Sequence, residues 1–276
     1  MRRRRDVGWW GLLLVLGWAA VASAATLGSN DRALEAIRAR DPGDRDFSFL
    51  VVGDSRGPRS RFPQVAEEMR PVSGDFVFHL GDLTNRGTSK EYEEVQRSLD
   101  SLGRPVLVVM GNHELVDRGR GRFALRFGQS FDGAFRYGGG LFLFFDNADG
   151  RPVGEKRLAW LRSALEEGRD ARFRLVFCHQ PLYDPRKGQE VSGHSMDPRG
   201  ARELLEVFRE GRVTRVFASH VHGWYDGAWG GVPFTVTGGG GAHLYDKDPA
   251  HGFFHFLRVD VTGTEVSVRV FPVPTR

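Results

Sequence analysis

The sequence predicts an α/β fold built from two mixed β-sheets packed as a sandwich and flanked by helices, and three observations lead there. Apolar, strand-like runs alternate with amphipathic, helix-like stretches through most of the chain, the pattern of sheets covered by helices. From Val232 onward the texture changes to short strands with no helices between them. Islands of Asp, Asn and His follow directly on the apolar runs, and the loops after strand ends are where open α/β sheets bind ligands.

Taken in order, Ser29 to Arg40 reads as a short amphipathic helix that Asp41-Pro42-Gly43 stops. Phe47 to Val52 is the first strand, Phe62 to Met69 a helix, Phe76 to Leu80 a second strand, and Ser89 to Leu102 a helix with a serine near its start. Val106 to Met110 is wholly apolar and rich in β-branched residues, as suits a strand buried on both faces. Phe135 to Tyr137 and Leu141 to Phe145 form a predicted hairpin about Gly138-Gly139-Gly140. Glu155 to Leu165 sets Leu158, Leu161 and Leu165 at helical spacing, and strand Arg174 to Phe177 follows. A helix from Pro198 to Phe208 leads to strand Val213 to Ala218, and the tail adds strands Pro233 to Thr237, Phe253 to Val259 and Glu265 to Phe271. Cys178, the single cysteine, excludes an intrachain disulfide and reads as a buried strand residue.

The 276 residues suffice for one large domain, expected over 46–276, with 25–45 as a lead-in and 1–24 as an export signal. Arg2 to Arg5 are a positive leading region, Trp9 to Val21 an apolar stretch, and Ala22-Ser23-Ala24 a small-residue cleavage site. Val7 to Ala25 is nearly long enough to span a bilayer, so an uncleaved membrane anchor is the alternative. Either arrangement puts the folded part outside the cytoplasm, periplasmic or secreted, with membrane contact only through an uncleaved leader. The formal charge is +4, but Arg2 to Arg5 and Asp6 carry three of those charges, leaving about +1 on the mature chain. No basic surface for nucleic acid is expected.

The polar islands are Gly53-Asp54-Ser55-Arg56, Gly81-Asp82, Gly111-Asn112-His113-Glu114, His179-Gln180-Pro181 and His220-Val221-His222. Each is common alone, but the set supplies Asp, Asp, Asn, His, His and His, the hard-oxygen and imidazole donors that suit two neighbouring divalent metals. These islands, in this order, resemble the calcineurin-like metallophosphoesterases from about Asp46 to the C-terminus. Gly111-Asn112-His113-Glu114 is the most specific piece, and Tyr137 to Asn147 and the Thr237 to Gly241 turn add to it. The resemblance implies a four-layer sandwich and a hydrolase that breaks phosphoester bonds by direct attack of a metal-bridging hydroxide on phosphorus. It implies that Asp82 bridges both ions, that Asp54 and His222 complete the first site, and that Asn112, His179 and His220 complete the second. Manganese, iron or zinc fits such mixed N/O ligands. His113 is implied as the group that protonates or stabilises the leaving oxygen, with Asn112 beside it at the substrate, and Glu114 as a partner for an imidazole.

Two positions depart from the family. Asp54-Ser55-Arg56 stands where Asp-x-His is usual, and a guanidinium offers no lone pair to a metal. The first site is therefore one protein ligand short, and Arg56 is expected to clamp a substrate phosphate instead. Ser219 replaces the glycine that usually precedes His-x-His, at no cost in ligands. His79 is expected in the core or behind the ligands; His251 and His255 are expected to be structural. Arg86, His194, His243, Tyr245, Trp224 and Trp229 stay open between pocket wall and ordinary surface or core. The expected partner is a small-molecule phosphoester. A diesterase acting on cyclic nucleotides or phospholipid-type substrates is an alternative, and so is a non-catalytic phosphate-binding envelope protein whose first metal site has decayed.

Overall fold

Phenylalanine decides where the two sheets meet. Phe49, Phe76, Phe78, Phe135, Phe142, Phe144, Phe177 and Phe217 are all buried in one cluster, and Phe78 stacks on Phe177 with ring centroids 3.8 Å apart. In the computed structural model, which describes residues 28–57, 59–186 and 193–274, this aromatic layer separates a five-stranded from a six-stranded sheet. The expected export signal lies outside the described residues.

The first sheet contains β1 (Phe47–Val52), β2 (Val77–His79) and β3 (Val106–Val108) in parallel, joined at β1 by two antiparallel tail strands, β10 (His255–Thr262) and β11 (Glu265–Pro272). The second runs β4 (Gly133–Tyr137), β5 (Gly140–Phe144), β6 (Arg174–Phe177), β7 (Arg215–Ala218), β9 (Val232–Thr237) and β8 (Trp224–Trp229). Its inner strands β5, β6, β7 and β9 are parallel, and its edges β4 and β8 antiparallel. Both sheets are thus mixed, as the sequence implies.

Helices cover both outer faces. Leu50, Val52, Val77 and Val108 of the first sheet pack with Phe62, Val65 and Met69 of α2 (Phe62–Met69) and with Tyr92, Val95 and Leu99 of α3 (Ser89–Asp100). Leu143, Val176 and Val216 of the second sheet pack with Leu161 and Leu165 of α5 (Glu155–Glu167) and Leu204 and Phe208 of α6 (Pro198–Glu210). Local chemistry sets the helix starts: Thr88 and Glu91 exchange bonds in a capping box at α3. Asp197 accepts from the Arg199 and Gly200 amides ahead of α6, with Pro198 in its first turn. The leading helix α1 (Ser29–Arg38) is fastened to β3 by Asn30, whose amide exchanges two 2.9 Å bonds with the Val108 backbone.

Three elements go beyond the sequence reading. A 3₁₀ segment at Asn112–Arg118, broken by non-helical Val116 and Asp117, is followed by α4 (Arg120–Phe127). Strand β8 pairs with β9 through a two-residue turn at Gly230 and Gly231, both at positive φ. Among the described residues, no helix is long and apolar enough to cross a membrane.

Candidate metal centre

The parallel strands of both sheets point their C-terminal ends at one rim. Asp54 stands just past β1, Asp82 past β2, Asn112 and His113 past β3, His179 past β6, and His220 and His222 past β7. Asp54, Arg56, Asp82 and His220 all have φ between 53° and 68°, a left-handed conformation that costs a non-glycine residue free energy and recurs at functional sites. Gly81 has φ 92° and approaches the Gly111 amide and the His179 ring so closely that a Cβ there would collide with both.

Two groups of ligand atoms form at this rim, each with its members within 4.8 Å of one another: Asp82, His179 and His220, and Asp54, Asp82 and His222. In the first group His179 Nε2 lies 2.9 Å from Asn112 Oδ1, 3.2 Å from His220 Nδ1 and 3.4 Å from Asp82 Oδ1. His179 uses its Nδ1 proton on the Leu80 carbonyl at 2.8 Å, so in the neutral ring Nε2 keeps its lone pair. In the second group His222 Nε2 is 3.3 Å from Asp54 Oδ1, and its Nδ1 donates to the His243 carbonyl at 2.5 Å. Asp54 Oδ1 and Asp82 Oδ2 are buried without a hydrogen-bond partner. Buried carboxylate oxygens without a hydrogen bond are costly unless a cation stands beside them; Arg56 Nε, 3.3 Å from Asp82 Oδ2, is one such charge, and the converging donors of Asp82, Asn112, His179 and His220 fit a divalent metal.

The surroundings hold the ligands in place. Asp54 Oδ2 receives the His220 amide at 2.7 Å and the Ser219 hydroxyl. Burial would raise the Asp54 pKa, but His222, His179 and that hydroxyl outweigh it and hold the carboxyl well below its ordinary range. For His222, burial pulls the pKa down while Asp54 and the His243 carbonyl pull it up, with a net rise. Burial, reinforced by His179, lowers His220 to about 3 and keeps it neutral. Asn147 fixes the His179 loop by accepting from the His179 and Gln180 amides, both at 3.0 Å.

Glu114 departs from expectation. It pairs with no imidazole: its two oxygens receive the Asp82 and Gly111 amides at 2.8 and 3.0 Å, and the Thr84 amide and hydroxyl at 3.2 and 3.0 Å. The physical reason is reach, since the 3₁₀ turn aims Glu114 under the Asp82 loop, where unpaired backbone N–H groups lie. Burial and the Asp82 charge push its pKa up to about 8, whereas four received bonds are the pattern of an ionised carboxylate.

Arg56 reaches into the centre. Its Nε lies 3.3 Å from Asp82 Oδ2, and its Nη1 is 2.9 Å from His113 Nδ1. That nitrogen is also 2.7 Å from the Asn85 carbonyl; it can accept from Arg56 or donate to Asn85, not both in one protonation state. His113 Nε2 faces the centre, 3.9 Å from Asp82 Oδ2. A cavity of about 240 Å³ opens here, lined in part by Arg56, Arg59, Ser60, His222, His243 and Tyr245. Larger cavities exist, including one of about 740 Å³ at the opposite end of β1 near Arg45 and Arg104, but they hold none of the ligand residues.

Of the residues left open, Tyr245 stacks on His222 at 4.7 Å and His194 lies 5.8 Å from the His220 ring, so both line the rim with His243. Arg86 pairs with Asp117 on the surface. Trp229 stacks on Phe234 in the core, and Trp224 packs against the aromatic layer. His79 is buried behind Ser55, His255 bonds Thr237, and Cys178 is buried. Neither the Ser219 contact to Asp54 nor the Thr84 bonds to Glu114 follow from residue type, although the hydroxyl at position 219, in place of a glycine, is a signal for the former.

Two mixed sheets thus carry at one rim carboxylate, amide and imidazole donors placed to hold divalent metal. The family model for calcineurin-like phosphoesterases matches residues 47–224, and the chain belongs to that family, which depends on a dinuclear metal centre. A "Probable cyclic nucleotide phosphodiesterase" of Rhodopseudomonas palustris is 26% identical over 181 residues, 59% of this chain and 62% of that protein. A "Probable glycerophosphodiester phosphodiesterase" of Arcobacter nitrofigilis is 24% identical over 162 residues, 54% of this chain and 56% of that protein. The chain thus spans less than two thirds of the length of these curated relatives. The purple acid phosphatase of yellow lupin seeds shares the fold with a TM-score of 0.67 at 17% identity, over 83% of this chain and 52% of its own.

Proposed function

We propose that the chain hydrolyses phosphodiesters of small organic molecules with a divalent metal as cofactor. The convergence of Asn112 Oδ1, His220 Nδ1 and Asp82 Oδ1 on His179 Nε2 carries this reading. Manganese, iron or zinc suits the N/O donor set of Asp82, Asn112, His179 and His220. Held there, the ion would polarise a phosphoryl oxygen and make a nucleophile of water near neutral pH. Asp82 shares its two oxygens between the ligand cluster and Arg56. Arg56 orients the phosphate through charge-assisted bonds, and Asn112 borders the substrate. His113, whose Nε2 faces the same space, gives the departing alkoxide its proton. The phosphodiesterase names of both curated relatives favour a diester over a monoester.

A second reading, a phosphate-ligand binding protein, draws on the missing histidine at position 56. The two separate on bis-p-nitrophenyl phosphate and p-nitrophenyl phosphate. Metal-loaded protein is expected to turn over the diester faster, lose that turnover to a chelator, and lose about 10²–10⁴-fold of it in His113→Ala. No turnover of either ester, with phosphate affinity unchanged in His113→Ala, favours the binding protein. The leader pattern Arg2 to Ala24 supports export, and cell fractionation tests it: activity confined to the cytoplasm contradicts that part of the reading.

A further inference from the structure

We propose that Arg56 stands in for one of the family's two metal ions. The centre of this chain then takes a single tightly bound divalent ion, at Asp82, Asn112, His179 and His220, with the guanidinium as a fixed second cation. The inference rests on the hydrolase reading above and on how unequally the two ligand groups are built.

The oxygens of Asp82 are divided between them. Oδ1 receives the His113 amide at 3.0 Å and lies 3.4 Å from His179 Nε2, whereas Oδ2 lies 3.3 Å from Arg56 Nε. A metal shared with Asp54 and His222 needs an Asp82 oxygen on the side where the guanidinium already stands. Arg56 is not a loose surface side chain that can swing away. Its backbone amide donates to the Asp82 carbonyl at 2.9 Å, and its side chain is 18% exposed. Arginine also stays charged at any working pH, so it cannot make room by losing a proton.

Charge points the same way. Asp54 and Asp82 are buried carboxylates, at 0% and 1% exposure. Arg56 and one divalent ion already cover their charge. A second ion would add about two uncompensated positive charges beside a guanidinium, in a site where little water screens them. The group of Asp54 and His222 has also lost a protein ligand at position 56, while that of Asn112, His179 and His220 keeps its whole set. Sterics, charge and ligand number therefore all weaken the same position.

The test is metal stoichiometry of the full chain, loaded with Mn²⁺ and freed of loose ion by gel filtration, with electron paramagnetic resonance as an independent readout. Wild type is expected to retain about one ion per chain with the spectrum of isolated Mn²⁺, and Arg56→His about two with an exchange-coupled spectrum. Asp54→Asn is expected to leave the wild-type count unchanged, and His220→Ala to abolish tight binding; circular dichroism confirms that each variant is folded. About two coupled ions in wild type overturn this inference and leave the hydrolase reading intact. A count that stays near one in folded Arg56→His overturns the role given to Arg56. No bound ion in wild type or Arg56→His brings down the metal-dependent hydrolase reading as well.

Discussion

Phe177 and His179 stand one residue apart at the end of β6 and are equally buried, yet burial does opposite work at the two positions. Phe177 lies between the rings of Phe78 and Phe217, at 3.8 and 5.2 Å, and its removal from water stabilises the sandwich. His179 is surrounded by acceptors, with only the Leu80 carbonyl satisfied by its own proton; burial there costs free energy that the rest of the fold must offset. A single strand thus carries the chain from a layer that stabilises the fold into a rim that draws on that stability, the trade-off expected of active sites.

That contrast can be broken most directly by paired substitutions. Asp82→Asn is expected to lower kcat/KM on the order of 10²–10³-fold, while the melting temperature of the chelator-treated protein stays level or rises, because crowding with Asp54 and Glu114 is relieved. Phe177→Ala should do the reverse, losing about 3–5 kcal/mol of stability with activity per folded molecule largely kept. If Asp82→Asn melts the chelated protein as severely as Phe177→Ala does, the division between the two regions is wrong.

A smaller effect lies at the boundary. His255 is fully buried, accepts from Thr237 and donates to the Phe253 carbonyl, and burial lowers its pKa from 6.5 to about 4. A folded-state pKa below the unfolded one gives stability that is present above pH 6.5 and lost as pH falls from there through about 4. Urea titrations across that window should show a slope of up to about 1.4 kcal/mol per pH unit from this group. His255→Gln should flatten the profile by that amount, and an unchanged slope would sink the assignment. The smallest change expected is from Ser219→Gly. Asp54 keeps the His220 amide, so about 1 kcal/mol of stability and a few-fold of activity should be lost; near-complete inactivation would show that the hydroxyl does more than brace Asp54.

Much of this architecture is legible in the sequence. The strands and most helices follow from apolar periodicity, because β1, β3 and β6 are short apolar runs with few alternatives. α4 escaped because Arg120-Gly121-Arg122 gives a weak helical start, and β8 because Asp226-Gly227 interrupts it. The Gly230-Gly231 pair between Trp229 and Val232 was the hairpin signal that could have revealed β8. Placement of the six candidate ligand residues on one rim is legible because each follows a strand end. Glu114 was not, since its partners are backbone amides of the Asp82 and Gly111 loops, and residue type says nothing about where a loop turns its N–H groups. The stacking of Tyr245 on His222 depends in the same way on the path of a loop.

The left-handed backbone at Asp54, Arg56, Asp82 and His220 has a consequence for motion as well as for geometry. Loops held in sparsely populated conformations open at lower free energy than the strands they leave. A cation gripping several of them at once would act as a clasp on those openings. Amide hydrogen exchange should then be fast at the rim and slow in β1, β2 and β6 of the chelated protein. Metal should slow the rim alone, so that the ion sets how often the site opens while the sheets beneath keep their own time.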